Sequence, residues 1–324
     1  MTRPWIAVTI GATTNEEARR ALESASQVAD AAELRLDYIE APDLPALLTD
    51  RPCPVIVTCR AEREGGRFHG DEQARIELLR QAIALGAEHV DVEWDTLPAL
   101  SDIPRDETRL IVSHHDFTGM PLDFADRFRR LSETSADIVK LVGMAHHLED
   151  LVPVIRALST TVKPAIAIAM GTAGVATRIL ALRYKRCYLT YAALEDPPVA
   201  PGQVSAHDME HVFYASAIDA DTVALGVIGE PDEGWAHLAA ANEQARTAGL
   251  NAVWVPLPPP RDPSRLSDLL DALDIRACQI AGALANAMSL PARVLIREHD
   301  GWRARDWDDQ IPSRVHEWLS RDVL

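Results

Sequence analysis

One pattern constrains the fold of this chain more than any other: eight short apolar runs alternate with helical periodicity over roughly its first 210 residues. The runs are WIAVTI (5–10), AELRLDY (32–38), PVIVTCR (54–60), EHVDVEW (88–94), RLIVSHH (109–115), DIVKLVG (137–143), PAIAIAM (164–170) and CYLTYAA (187–193). Amphipathic stretches such as NEEARRALESASQVA and DEQARIELLRQAIALGA lie between them. Near-continuous Val/Ile runs flanked by helices indicate parallel strands covered on both faces. Eight such units fit a closed (β/α)₈ TIM barrel better than an open doubly wound sheet. After residue 215 the texture changes: DADTVALGVIGEPDEGW starts a new strand, LNAVWVPLPPPRDP gives another, and two helical stretches follow. The expectation is an α/β chain with a TIM barrel over residues 1–218 and a small α/β domain over 219–324, the boundary falling in AIDADT. No glycine-rich G-x-G-x-x-G nucleotide fingerprint occurs in either part.

Within this frame one residue is out of place. Of the 32 basic side chains only Lys140, Lys163 and Lys185 are lysines, and Lys140 alone is set in an apolar strand, among Ile138, Val139, Leu141 and Val142. An ammonium is costly to bury unless it is paired or neutralised. Lys140 is thus either a strand-end lysine snorkelling to water or a nucleophilic amine.

The net charge of −17 argues against a nucleic-acid partner and against docking on an anionic membrane, though not against an anionic small molecule. Cys53, Cys59, Cys187 and Cys278 show no metal-type spacing and read as reduced thiols, two of them within apolar runs. No apolar segment of signal length opens the chain and no run approaches the roughly 20 residues of a membrane span. A cytoplasmic protein is expected.

A TIM barrel gathers its active site at the C-terminal ends of its strands. The polar residues expected there are Glu33, Arg35 and Asp37, alternating on one side of the second strand, then Arg60 and Glu64, Asp91 and Glu93, His114 and His115, Lys140, Arg178 and Gln203. Such charges can form a buried ion-pair layer, with Asp91 and Glu93 neutralising arginines, and histidines there can be structural. Together they also suit chemistry: a neighbouring arginine disfavours the ammonium form of Lys140, a histidine supplies a base, and arginines without a phosphate loop suit a carboxylate. That combination reads as an imine-forming lysine enzyme acting on a keto acid.

Taken in order, ELRLD, TCRAEREGG, SHHDF, DIVKLV, MGTAGVATR and APGQ resemble the type I 3-dehydroquinate dehydratases. The resemblance implies a hydro-lyase of the shikimate pathway that converts 3-dehydroquinate to 3-dehydroshikimate and water. It implies a Schiff base on Lys140, proton transfer by His115, and Glu64 orienting that histidine. It further implies that Arg178 grips the substrate carboxylate and that Glu33, Arg35, Arg60 and Gln203 form the rest of the polar shell. No metal or organic cofactor is implied, because the iminium is the electron sink, and a homodimer is left open. Val199 stands where the family usually has a hydroxyl residue just before APGQ. Two rivals remain: another class I, aldolase-type lyase, and a weak barrel serving as a scaffold.

The second part resembles the substrate-binding half of shikimate dehydrogenase in ALGVIGEP and GLNAVWVPL, with echoes in GALANA and DGWRARDWD around Asn286 and Asp308. The serine-rich turn of that family is replaced by PDEGWAH, and no lysine follows Lys185. This implies a non-catalytic domain for assembly or regulation.

Overall fold

The computed structural model describes residues 3–105, 107–194, 197–229, 235–281, 294–299 and 301–305. The eight expected strands form: β1 (Trp5–Ile10), β2 (Ala31–Arg35), β3 (Val55–Thr58), β4 (His89–Glu93), β5 (Arg109–Asp116), β6 (Ile138–Met144), β7 (Ala165–Met170) and β8 (Leu189–Ala193). Each pairs in parallel with its sequence neighbour from β1 to β7, and β8 returns to pair with β1. The seam between β7 and β8 is joined only near their N-terminal ends, where Ala165 N donates to Arg186 O at 2.9 Å and Tyr188 N to Ala165 O at 2.8 Å. The result is a nearly closed (β/α)₈ barrel.

Helices α1 (Asn15–Ala25), α2 (Leu44–Leu48), α3 (Glu72–Ala84), α4 (Phe124–Ser132), α5 (Val152–Thr160), α6 (Val175–Leu180) and α7 (Ala206–His211) surround it. α1 illustrates the local logic. Thr14 and Glu17 form a reciprocal capping box, and Ala18, Ala21, Leu22 and Ala25 make the buried stripe. Between β4 and β5 only a 3₁₀ turn, Leu97–Leu100, replaces a helix, in a segment carrying Pro98 and Pro104. A proline inside a helix removes a donor and clashes with the preceding turn.

Strand register sorts the barrel interior into layers. Ala7, Ala31, Ile56, Ile111, Ile138, Ile166 and Leu189 form an apolar plug at the lower, N-terminal end. Above it, toward the strand C-termini, Thr9, Glu33, Thr58, Asp91, Ser113, Lys140 and Tyr191 meet inside the ring. One expectation fails here: Asp37 does not continue the alternation of Glu33 and Arg35. The strand ends at Arg35, and Asp37 lies in the 3₁₀ turn Leu36–Tyr38, where it clamps the Arg35 guanidinium.

The chain then builds a second sheet from β9 (Val223–Ile228), β10 (Ala252–Leu257), β11 (Ile275–Ile280), β12 (Val294–Glu298) and β13 (Gly301–Arg305), in the order β10-β9-β11-β12-β13. β9, β10 and β11 are parallel, and β12 and β13 add antiparallel strands. Helices α8 (Ala236–Thr247) and α9 (Leu266–Ala272) flank it. Asn286, Asp308 and much of the PDEGWAH turn lie outside the described residues. The two sheets share one continuous apolar cluster, and α6 of the barrel packs beside β10. Polar ties reinforce the contact: Arg183 pairs with Asp274 at 2.7 Å, and the Glu149 carboxylate accepts from Arg261 N and Asp262 N.

Candidate active site

At the upper end of the barrel, Lys140 points inward from the middle of β6 and is 4% exposed. Its ammonium donates to Asp91 Oδ2 at 2.8 Å, the Tyr191 hydroxyl at 3.0 Å and Glu33 Oε1 at 3.4 Å. Three N–H groups find three acceptors, so this is not a lysine snorkelling to water. Burial alone would lower the pKa of Lys140, but Asp91 and Glu33 outweigh it and hold the value above that of an ordinary lysine. The expectation that a neighbouring arginine frees the amine is therefore wrong for the ligand-free protein. Arg60 does oppose the charge, but the two carboxylates act on it more strongly. Burial raises the Tyr191 phenol's pKa, with Glu33 adding to the effect.

Glu33 is fixed by Thr58 Oγ1 at 2.8 Å and Thr9 Oγ1 at 3.3 Å, and Lys140 keeps it ionised against the cost of burial. Arg60 follows β3 and spends its fork on Asp91 at 2.7 Å and Glu93 at 2.9 Å, with a third bond to Ser113 Oγ. Glu93 also pairs with Arg75, a fully buried arginine reaching in from α3. Both acidic residues of β4 thus neutralise arginines, and Asp91 in addition holds the lysine.

His115 lies two residues beyond the β5 position, Ser113, that is level with Lys140. Its Nδ1 meets Glu64 Oε2 at 3.0 Å, which fixes the neutral tautomer with Nε2 as the ring's acceptor. Burial, then the positive charge of Arg60, push the His115 pKa down to about 4 despite Glu64. The imidazole is neutral near pH 7. His114 contacts the other Glu64 oxygen at 3.2 Å and accepts from Arg127 through Nε2, so it acts in holding Glu64.

Arg178 differs from the other arginines of the mouth. Its Nη atoms reach only carbonyls, Tyr191 O at 3.5 Å and Pro201 O at 3.2 Å, and its Nε is buried with no partner. No carboxylate pairs with it among the described residues, and burial lowers its pKa to about 10. A buried guanidinium left uncompensated is arranged for an incoming anion.

One cavity is lined by Lys140, His115, Glu64, Glu33, Arg35, Arg60, Arg178 and Gln203, whereas Asp37, Asp91, Glu93 and His114, also expected at the mouth, stand behind this lining. Several of them are already engaged. Arg35 is clamped by Asp37 through Nε and Nη2, and Gln203 bonds Thr9 Oγ1 at 2.9 Å and the Ala200 amide at 3.1 Å. Val199 lines the neighbouring cleft rather than this cavity. Sequence reasoning missed Thr9, Tyr191 and Phe117 in the lining. Thr9 and Tyr191 were within reach of it, since both share the inward parity of their strands. No cluster of three or more metal-ligating side chains occurs among the described residues.

Comparison with known proteins places the chain among relatives. The family model described as type I 3-dehydroquinase matches residues 6–220. The chloroplastic bifunctional 3-dehydroquinate dehydratase/shikimate dehydrogenase of Arabidopsis thaliana is 31% identical over 240 residues, covering 71% of this chain but only 40% of that relative. The 3-dehydroquinate dehydratase of Methanopyrus kandleri is 35% identical over 213 residues, 63% of this chain and 95% of the relative. Among solved structures, the 3-dehydroquinate dehydratase of Geobacillus kaustophilus superposes with a TM-score of 0.58 at 27% identity, over 64% of this chain and 89% of its own. A dehydroquinate dehydratase and shikimate dehydrogenase from S. pombe covers 94% of this chain and 64% of its own, with a TM-score of 0.53. At 22% identity that last likeness is one of fold alone.

Proposed function

The chain belongs to the type I 3-dehydroquinase family and is a 3-dehydroquinate dehydratase, a hydro-lyase of the shikimate pathway, and from that premise we propose that Lys140 forms the Schiff base with the substrate ketone. One observation carries this reading: the buried Lys140 ammonium shares its cavity with a neutral histidine and with an arginine that meets no carboxylate among the described residues. Arg178 receives the substrate carboxylate, which fixes the ring against Lys140. His115, held as the Nδ1–H tautomer by Glu64, takes the proton beside the imine carbon through Nε2 and returns it to the departing hydroxyl as water leaves. Electrons released by that abstraction move into the iminium. Glu33, Arg35, Arg60 and Gln203 shape the polar wall around the ring.

Borohydride reduction during turnover of 3-dehydroquinate, followed by peptide mass analysis, tests the assignment. Ligand mass on Lys140 alone is expected; mass on Lys163 or Lys185, or none, would falsify it.

We also propose that residues 219–324 form a separate, non-catalytic domain for assembly or regulation, and that the enzyme works in the cytoplasm without metal, nucleic-acid or membrane partners. No helix among the described residues is long and apolar enough to cross a membrane. Sedimentation of the intact protein decides whether it forms a homodimer.

A further inference from the structure

We propose that the Tyr191 phenol is a further catalytic residue, a relay that carries hydrogens from Lys140 Nζ to the substrate's ketone oxygen as the imine forms; this rests on the Lys140 reading above. Tyr191 projects inward from β8, is 3% exposed and lines the cavity. Its oxygen accepts from Nζ at 3.0 Å, and its ring lies under the same ammonium at 4.4 Å. The phenol's own hydrogen finds no acceptor among the described residues, so it is available to a ligand. A ketone oxygen on the carbon under attack sits within one bond angle of Nζ. A hydroxyl in hydrogen-bonding range of Nζ is therefore also in range of that oxygen.

The chemistry needs such a bridge. Overall, a ketone and an ammonium give an iminium and water, so two of the three ammonium hydrogens must leave with the oxygen and one stays. In the first passage Nζ gives a hydrogen to the phenol while the phenol gives its own to the ketone oxygen. The freed nitrogen pair forms the C–N bond as the C=O π pair moves to oxygen. A second passage moves the second hydrogen by the same route. The C–O bond then breaks with its electron pair, water leaves, and the nitrogen pair closes C=N. Charge is conserved throughout, and no outside acid or base is used.

The other groups around Nζ are less suited to the task. Asp91 is tied to Arg60 and Ser113, and Glu33 to Thr58 and Thr9, so neither is free to turn and pass a hydrogen on. His115 is neutral near pH 7, a state that suits a base at carbon better than an acid at oxygen.

The experiment is a timed borohydride quench after mixing full-length protein with 3-dehydroquinate, following adduct on Lys140 by mass, for the unsubstituted chain and Tyr191→Phe. Adduct is expected on Lys140 in both, forming at least tenfold more slowly in Tyr191→Phe. The isotope effect for substrate deuterated at the abstracted position should shrink in the variant, because imine formation becomes limiting. Incorporating 3-fluorotyrosine at 191 keeps a hydroxyl and should restore most of the lost rate. Unchanged adduct kinetics in Tyr191→Phe, or no restoration by the fluorinated tyrosine, overturns the relay. Absence of a Lys140 adduct in the unsubstituted protein overturns the Lys140 reading itself.

Discussion

Glu64 holds His115 twice through a single oxygen: Oε2 accepts the backbone N–H of His115 at 3.0 Å and meets its ring Nδ1 at 3.0 Å. The carboxylate thus fixes both the position of the histidine and its tautomer. The histidines' hydrogen bonds keep the Glu64 pKa well below the usual carboxylate range, against the cost of burial.

The first prediction follows from that clamp. With the His115 pKa pushed down to about 4, the basic form is present through neutral pH, and kcat/KM should fall only as acid approaches that value. Glu64→Gln removes a charge that favours imidazolium, so the acid limb should move to still lower pH. A pH profile of kcat/KM for both proteins checks this; an unmoved limb would mean that Glu64 acts on His115 only by position.

A second prediction separates binding from stability at Arg178. Arg178→Met removes a buried, unpaired charge, so the free protein should melt at a higher temperature. The same change deletes a charge-assisted contact worth about 1.5–3 kcal/mol to the bound substrate. KM should rise by about 10–100-fold at that magnitude. A higher melting temperature together with a weaker affinity is the signature; a fall in both melting temperature and affinity would make Arg178 a structural residue.

The third concerns Lys140 in the resting protein. Asp91→Asn takes away its nearest carboxylate, at 2.8 Å, and should lower the lysine pKa. It also strips a partner from buried Arg60, and breaking such a pair typically costs about 3–5 kcal/mol. Mass-resolved amine labelling of Lys140 against pH, alongside urea unfolding, reads both effects. A labelling curve identical to that of the unsubstituted protein would show that Asp91 does not set the charge on Lys140.

A fourth lies at the opposite end of the barrel. Burial, then Arg109, lower the His89 pKa from 6.5 to about 4. For a base depressed on folding, the unfolded chain binds the proton more readily. The stabilisation is complete above pH 6.5 and is lost as pH falls toward 4, by about 1.4 kcal/mol per unit. His115 contributes in the same window. His89→Gln should flatten part of that slope, as measured by urea unfolding between pH 4 and 7.

A fifth tests a turn. Gly65 has φ of +77°, and a Cβ on Gly66 would meet the Arg60 carbonyl oxygen at 1.8 Å. Gly66→Ala must displace the backbone between Arg60 and Glu64, so turnover should fall by at least tenfold, a size typical of disturbing a general base. Activity within twofold of the unsubstituted protein would show that the turn tolerates the shift.

The barrel and most of its mouth were legible because they follow from period. An inward position on a parallel strand repeats every second residue, so Glu33, Lys140 and His115 could be placed from spacing alone. Asp37 was misplaced because nothing in LRLDY marks where the strand gives way to a 3₁₀ turn. The charge on Lys140 was misread for a different reason. It depends on which of several nearby groups acts most strongly, and spacing along the chain does not order Asp91 ahead of Arg60. Arg75 was invisible as a site support because it sits on a helix, outside the strand-end pattern.

The half-open seam between β7 and β8 has a consequence for motion. Above Ala165 the two strands share no ladder, and side chains and loops supply hydrogen bonds instead: Thr177 Oγ1 accepts from Ala169 N, Pro201 O from Gly171 N and Val204 O from Ala193 N. Those acceptors belong to short segments that can lift away without unzipping the ring. Amide deuteration should therefore be fastest at Gly171 and Ala193 among the barrel's strand ends, and slowest between β4 and β6, where the ladder is continuous. Arg178 and Tyr191 stand on either side of that gap. Opening there would admit a ring-sized molecule between the anion receptor and the Tyr191 phenol, so a ligand touching both should also act as a staple that slows exchange along the seam.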